Sequence, residues 1–242
     1  MSGILSQNII SGRSANLQSK IQLILLAVSF VIFYNEPFES ILKFILYFIA
    51  TGFLVSGYLH RYCTHRSWNC PRWLEAFFML LTTAAMSGLC ITWVALHKDH
   101  HRYTDKEGDP HGHFAGIWNN LTIFSYHPTK NSASKWMLRD KMYRFQMKYY
   151  WYLVAVLGGT WSYFLGLDSW ILFTTTVYVW QVGINLIGHS TLYDSINRNH
   201  VLAGLWGGEL YHNDHHKNPM NSRLGKIDFP YFFMIRWFNL YK

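Results

Sequence analysis

Nine of the thirteen histidines in this chain sit in four short stretches, and imidazole is a side chain well suited to hold a transition metal near neutral pH. Two stretches share the spacing i, i+3, i+4: His97-Lys98-Asp99-His100-His101 and His212-Asn213-Asp214-His215-His216. On a helix that spacing puts three rings on one face within a single turn. In His60-Arg61-Tyr62-Cys63-Thr64-His65 the two histidines are five apart and share an α-helical face less well, so they are expected at a helix end where the chain bends. Asn185 and His189, i and i+4, point together. Nine imidazoles exceed what one ion takes and suit two. Ligand type alone leaves iron, zinc and copper open; many histidines with open positions favour redox iron and dioxygen. Desolvating so many imidazoles beside a bilayer with no metal has no evident compensation. The lone His111, His113, His127 and His200 read instead as ordinary hydrogen-bonding histidines.

The elements that must gather these residues are apolar. The chain has 242 residues, 50% hydrophobic and only 14% charged, an unusual balance for a soluble protein of this size. Its net charge of +8 comes from blocks beside apolar runs rather than from a polar face interleaved with aromatics, so nucleic acid is not the expected partner. Cys63, Cys70 and Cys90 form no CxxC pair, which argues against a disulfide frame or zinc ribbon and fits a reducing, cytoplasm-facing site. The N-terminus shows no cleavable signal pattern. Apolar runs predict transmembrane helices at about 21–38 and 41–59, joined by the turn Asn35–Ser40, and at about 149–165 and 169–188, joined by Gly166-Leu167-Asp168. Residues 74–96 read by hydropathy as a further span, yet crossing would place His60 and His97 on opposite faces. The segment is therefore expected to be interfacial or re-entrant. Lys and Arg avoid both short hairpin turns, so the N-terminus, C-terminus and histidine stretches are expected on the cytoplasmic side. The expected fold is one all-α integral membrane domain over 1–242: four transmembrane helices in two hairpins, the 74–96 segment, and a helical cytoplasmic cap at about 97–148 and 190–242 holding a histidine-rich di-metal site. The basic stretch Lys130–Lys148 fits either lipid headgroups or an acidic partner.

With these residues in view the chain resembles the membrane-bound fatty acyl desaturases, and within them the Δ9, stearoyl-CoA-desaturase-like branch. The boxes HxxxxH, HxxHH and HxxHH stand here as HRYCTH, HKDHH and HNDHH. Arg66-Ser67-Trp68 after the first box, Trp93 before the second, Asp109-Pro110-His111 after it, Asn185 with His189, and Gly208-Glu209 before the third also match. The resemblance runs from about Gly52 onward. The long N-terminal extension of the animal enzymes is missing, and His127-Pro128-Thr129-Lys130 is not the His-Pro-Gly-Gly haem signature of a fused cytochrome b5.

The resemblance implies two iron ions held by His60, His65, His97, His100, His101, His189, His212, His215 and His216, with Asn185 reaching one iron through water. Zinc is a possible substitute in recombinant protein. Dioxygen and two electrons from a separate donor, ferredoxin or cytochrome b5 in type, convert adjacent methylenes of a saturated acyl chain into a cis double bond, expected at Δ9. Asp99, Asp109, Glu209 and Asp214 are the carboxylates placed to orient ligating histidines. Because methylenes are chemically alike, a bent tunnel must set the position; Trp93 and Gln181 are the residues expected to shape it, Gln181 fitting ordinary polar packing as well. The short chain and separate donor favour a bacterial cytoplasmic membrane over the endoplasmic reticulum. Related histidine-box chemistry leaves hydroxylation as the competing reaction, and a zinc site that only holds the cap together as the non-catalytic alternative.

Overall fold

The computed structural model describes residues 12–111, 115–122, 135–189 and 200–240, and every regular element among them is helical. Helix α1 (Gly12–Asn35) and α2 (Pro37–Thr51) form the first hairpin, separated by Glu36 alone. This turn is tighter than the expected Asn35–Ser40 because Pro37 opens α2, where its fixed φ is already helical and its missing N–H is not needed.

Rather than ending near Leu59, α2 runs on into a π-helical stretch, Gly52–Thr64, so that Pro37–Thr64 forms one helix of 28 residues. The wider π turn closes a hydrogen bond from His65 N to His60 O at 3.2 Å, an i to i+5 contact. Residues five apart then share a face, which α-helical spacing does not allow, and the two imidazole rings lie 4.9 Å apart.

The 74–96 segment is two helices, α3 (Arg72–Ala84) and α4 (Cys90–Tyr103), of 13 and 14 residues. At 1.5 Å per residue each is about 20 Å long, short of the ~30 Å hydrocarbon core. The break contains Met86 and Gly88 at positive φ, 53° and 85°. Its peptide groups find partners on other helices. Gln18 and Gln22 donate to Met86 O at 2.8 and 3.1 Å, and Trp170 Nε1 donates to Ala84 O at 2.9 Å. Gly88 N donates to the Tyr150 hydroxyl at 3.1 Å and Cys90 N to Gln146 Oε1 at 3.1 Å. Broken backbone survives in an apolar setting only when it is satisfied in this way.

After α5 (Gly116–Leu121) and α6 (Lys135–Arg139), a second hairpin joins α7 (Lys141–Leu165) to α8 (Leu167–Gly188) through Gly166, whose φ of 93° favours glycine. Among the described residues three helices are long and apolar enough to cross a membrane: Asn16–Asn35, Pro37–Thr64 and Leu167–Gly188. Four spans are expected from the sequence, and α7 is the one not among them. It begins eight residues before the expected span, taking in Lys141, Arg144 and Lys148, kinks at Tyr149 (φ −116°), and continues with Tyr, Trp and Gly more than aliphatic residues. Helix α8 is the most enclosed of the three, with 67% of its most apolar stretch buried against 22% for α1. Helices α1, α2 and α7 pack around α8, and Lys43 Nζ on α2 reaches Asp168 at 2.5 Å. The short helices α9 (His200–Leu205), α10 (His212–Lys217) and α11 (Arg236–Leu240), the last preceded by a π turn at Tyr231–Ile235, complete the described chain.

The bonds at the break generate a stability prediction. Gln146→Leu leaves the buried Cys90 N–H unpaired and removes the 2.9 Å bond to Thr83 Oγ1, which should lower stability by about 1–3 kcal/mol. Thermal unfolding in detergent should show a clear drop in Tm; an unchanged Tm would contradict the role assigned to Gln146.

Candidate metal centre

Four pieces of chain meet where the extended α2, α4, the end of α8 and α10 come together, and the nine clustered histidines divide into two groups. His60, His65, His97, His101 and His215 form one; His100, His189, His212 and His216 form the other, with the ligand atoms of each group within 4.8 Å of one another. The two HxxHH stretches are therefore split rather than each serving one ion. In each, the i and i+4 residues stay together and the i+3 residue crosses to the other group. The groups adjoin, with the rings of His101 and His216 4.4 Å apart.

Within each group ring nitrogens converge. In the five-histidine group, Nε2 of His60 and His215 are 2.9 Å apart, those of His101 and His215 3.0 Å, and those of His97 and His101 3.1 Å. In the other, Nε2 of His189 and His212 are 2.8 Å apart, those of His212 and His216 2.9 Å, and those of His100 and His216 3.1 Å. Ligands about 2.0–2.1 Å from one ion and at right angles to each other lie ~2.9 Å apart, so these spacings match those a nitrogen coordination shell would have.

Four of the opposite ring nitrogens are braced in the way metal-binding imidazoles require, while Nδ1 of His212 and of His215 is buried with no partner among the described residues. His60 Nδ1 lies 2.8 Å from the Glu209 carboxylate, His100 Nδ1 2.8 Å from Asp109 Oδ1, and His189 Nδ1 3.0 Å from Asp105 Oδ1. Thr104 gives its one hydroxyl proton to His100 O at 2.8 Å, so it accepts from His216 Nδ1 at 3.2 Å. Each brace puts the proton on Nδ1 and leaves Nε2 with its lone pair toward the group.

Burial keeps these rings neutral. It holds His97, His100, His212 and His215 well below the ordinary imidazole range, reinforced by neighbouring imidazoles. It lowers His65 to about 3, His101 to about 2 and His216 to about 4. His189 is lowered too, against the opposing pull of Asp105. The same burial pushes the carboxyls of Asp109 and Glu209 up to about 7, Arg61 opposing it at Glu209. Neutral, oriented, convergent imidazoles fit two ions of a nitrogen-accepting metal.

The comparisons with known proteins give this centre its family. The fatty acid desaturase family model matches residues 40–240. The chain belongs to the fatty acid desaturase family. It is 30% identical over 200 residues, covering 75% of this chain and 72% of the relative, to the sn-1 stearoyl-lipid 9-desaturase of Anabaena variabilis. It is 28% identical over 212 residues to the Delta-9 desaturase-like 2 protein of Arabidopsis thaliana, covering 79% and 70%. The Acyl-CoA C20 Delta5-desaturase of Anemone leveillei is 29% identical over 200 residues, covering 75% and 64%. Both the similarity and the site make this an oxidoreductase of the Δ9 desaturase-like type.

An apolar cavity opens beside the histidines of the desaturase. Val55, Leu89, Trp93, Leu96, Trp180 and Ile184 line it together with His60, His97, His212 and Glu209. Asn185, one turn before His189, is in the same lining. Trp93 and Gln181, the two residues expected to shape a tunnel, both line it and are joined by a 2.8 Å bond from Trp93 Nε1 to Gln181 Oε1. Trp93 also stacks on His97, 5.1 Å between ring centres.

Asp109 and Glu209 stand on ring nitrogens. Asp99 is buried with Arg102 3.7 Å away, and Asp214 is exposed and makes no described side-chain hydrogen bond. Sequence reasoning missed Asp105 and Thr104, although the acidic turn Asp105-Lys106-Glu107-Gly108-Asp109 directly after the second HxxHH was a usable signal. It also set His111 apart, whereas His111 stacks on His100 at 3.9 Å and its Nδ1 is buried with no partner among the described residues. His113 and His127 lie outside the described residues, as does the side chain of His200.

Two predictions come from this arrangement. Asp105→Ala should weaken metal binding about 10–100-fold, whereas Asp214→Ala should leave it unchanged, as measured by competition with a chelator; equal effects would contradict the bracing described. In the metal-free protein the lowered imidazoles bind protons in the unfolded chain that the folded chain refuses, so their stabilisation is present above about pH 6.5 and is lost as pH falls. Asp109 and Glu209 work the other way, taking up protons in the folded chain below about 7, but the imidazoles outnumber them. Tm of the metal-free protein should therefore fall from pH 7 to pH 5; a flat or rising Tm would contradict neutral burial.

Proposed function

We propose that this protein is a di-iron fatty acyl desaturase that introduces a cis double bond, at Δ9, into a saturated acyl chain in the membrane. The observation carrying this reading is the apolar cavity running along α4 and α8 to nine convergent imidazoles. The five-histidine group would hold one iron and the four-histidine group the other, and Asn185, which lines the cavity one turn before His189, would contribute through water. Bound there, the irons supply the reduction of dioxygen that makes hydrogen removal from unactivated methylenes possible.

The chain's own residues do the rest. The walls of the cavity take the acyl chain out of water and lay it along α4. The bond between Trp93 and Gln181 ties α4 to α8 one helical turn from His97, forming a fixed obstacle against which the chain must bend. Position is thus set by depth rather than by chemical difference between methylenes. Two hydrogens leave adjacent carbons, and with two electrons and two protons from outside they reduce one dioxygen to two waters. The electrons come from a separate donor of ferredoxin or cytochrome b5 type.

The membrane arrangement proposed is four crossings, with α7 completing the second hairpin and the α3–α4 break entering without crossing. The distribution of Lys and Arg supports a cytoplasmic site, and the cyanobacterial relative supports a bacterial-type membrane. The names of the relatives include both a stearoyl-lipid and an acyl-CoA enzyme. A glycerolipid-bound stearoyl chain is the first substrate to offer, with stearoyl-CoA as the second.

The test is turnover by iron-loaded protein in lipid with a reduced donor and each substrate, followed by mass spectrometry of the acyl chains. A loss of two hydrogens at Δ9 is expected, and His189→Ala and His215→Ala should each abolish it while still inserting. A gain of one oxygen would replace desaturation by hydroxylation. No turnover with tightly held zinc would leave a structural metal site.

A further inference from the structure

Arg61, inside the first histidine stretch, is only 1% exposed and would be a costly buried charge if unpaired. Its Nη1 donates to Asp228 Oδ2 at 2.8 Å and to Ser222 O at 2.9 Å; its Nη2 donates to Ser56 Oγ and Gly207 O, both at 2.6 Å. Asp228, fully buried, also accepts from Leu224 N at 2.8 Å and Tyr231 N at 3.0 Å. One guanidinium therefore clamps the π-helical end of α2 to the chain on both sides of α10, at Gly207 before it and at Ser222 and Asp228 after it.

The direction of these bonds can be followed to the metal centre. A guanidinium only donates, so Ser56 Oγ accepts from Arg61 and its single proton is free for Glu209, to which it is hydrogen-bonded. Glu209 in turn stands 2.8 Å from His60 Nδ1. The line from Arg61 through Ser56 and Glu209 ends on a ligand of the five-histidine group, whose Nε2 faces His215 at 2.9 Å. The described braces of the other group come from Thr104, Asp105 and Asp109, one turn of chain with no described bond to Arg61. Both groups draw ligands from α4 and α10, but their described Nδ1 braces come from separate pieces of the fold.

We infer that Arg61, Ser56 and Asp228 are positioning residues for the ion of the five-histidine group alone, so that the two metals can be lost independently. This rests on the di-metal reading above. The test is iron per chain, by inductively coupled plasma mass spectrometry, in full-length protein purified in detergent, with helicity followed by circular dichroism. The double variant Arg61→Met/Asp228→Leu removes both charges together, so neither is left buried and alone. It should keep its helicity and fall from two irons per chain to one. Adding His189→Ala to it should remove the remaining ion, whereas adding His65→Ala should change nothing further. Two irons in the double variant would make the network a purely structural ion pair, and none in a folded chain would mean the groups are not independent; either overturns the inference. Fewer than two irons in the unaltered protein would overturn the di-metal reading and this inference with it.

Discussion

The structure depends on one constraint: nine imidazoles, seven of them buried and His101 and His216 half-buried, must be held neutral, side by side, with their lone pairs facing inward. Ring nitrogens 2.8–3.1 Å apart, such as those of His212 and His189 or His100 and His216, cannot all be satisfied by donating to one another. Once Nδ1 of His60, His100, His189 and His216 is committed outward, their Nε2 atoms carry no proton. The arrangement is coherent as a ligand set and incoherent as a packed core, where so many facing acceptors would be left unpaired.

That constraint explains the irregular features of the helices. Helix α2 is carried beyond the length a span needs, and the π geometry of Gly52–Thr64 turns two histidines five apart onto one face. Helix α4 starts afresh at Cys90 after a break whose peptide groups are held by Gln18, Gln22, Gln146, Tyr150 and Trp170. The break lets α4 take its own direction, so that Trp93 meets Gln181 and His97 meets His60. Helix α8 stops at Gly188, just before His189, which then reaches His212. Each departure from a plain helical hairpin brings a ligand, or the cavity wall beside it, into place.

Much of this was legible in the sequence. The box spacings and the letters around them point to the family, and the family model and relatives agree. What spacing could not reveal were features decided by three-dimensional context. A separation of five was read on α-helical geometry, because nothing in GFLVSGYLHRYCT announces a π-helix. An i, i+3, i+4 triplet looks like one face of a helix, yet two rows of ligands meet there and the middle histidine crosses over. Asp99 and Asp214 lie inside the boxes and were natural choices as braces. The turn that follows the second box also brings Thr104 and Asp105 onto ring nitrogens, which the spacing did not announce. Composition counted Tyr149–Leu165 as a span, although its aromatic and glycine content leaves α7 outside the three clearly apolar helices.

The central claim, two adjacent ions each held by its own group of imidazoles, is tested most directly by locating the metals. Anomalous diffraction at the iron edge, from crystals of iron-loaded protein, should give two separate peaks, one enclosed by His60, His65, His97, His101 and His215 and the other by His100, His189, His212 and His216. A single peak, or peaks bound outside these rings, would contradict it.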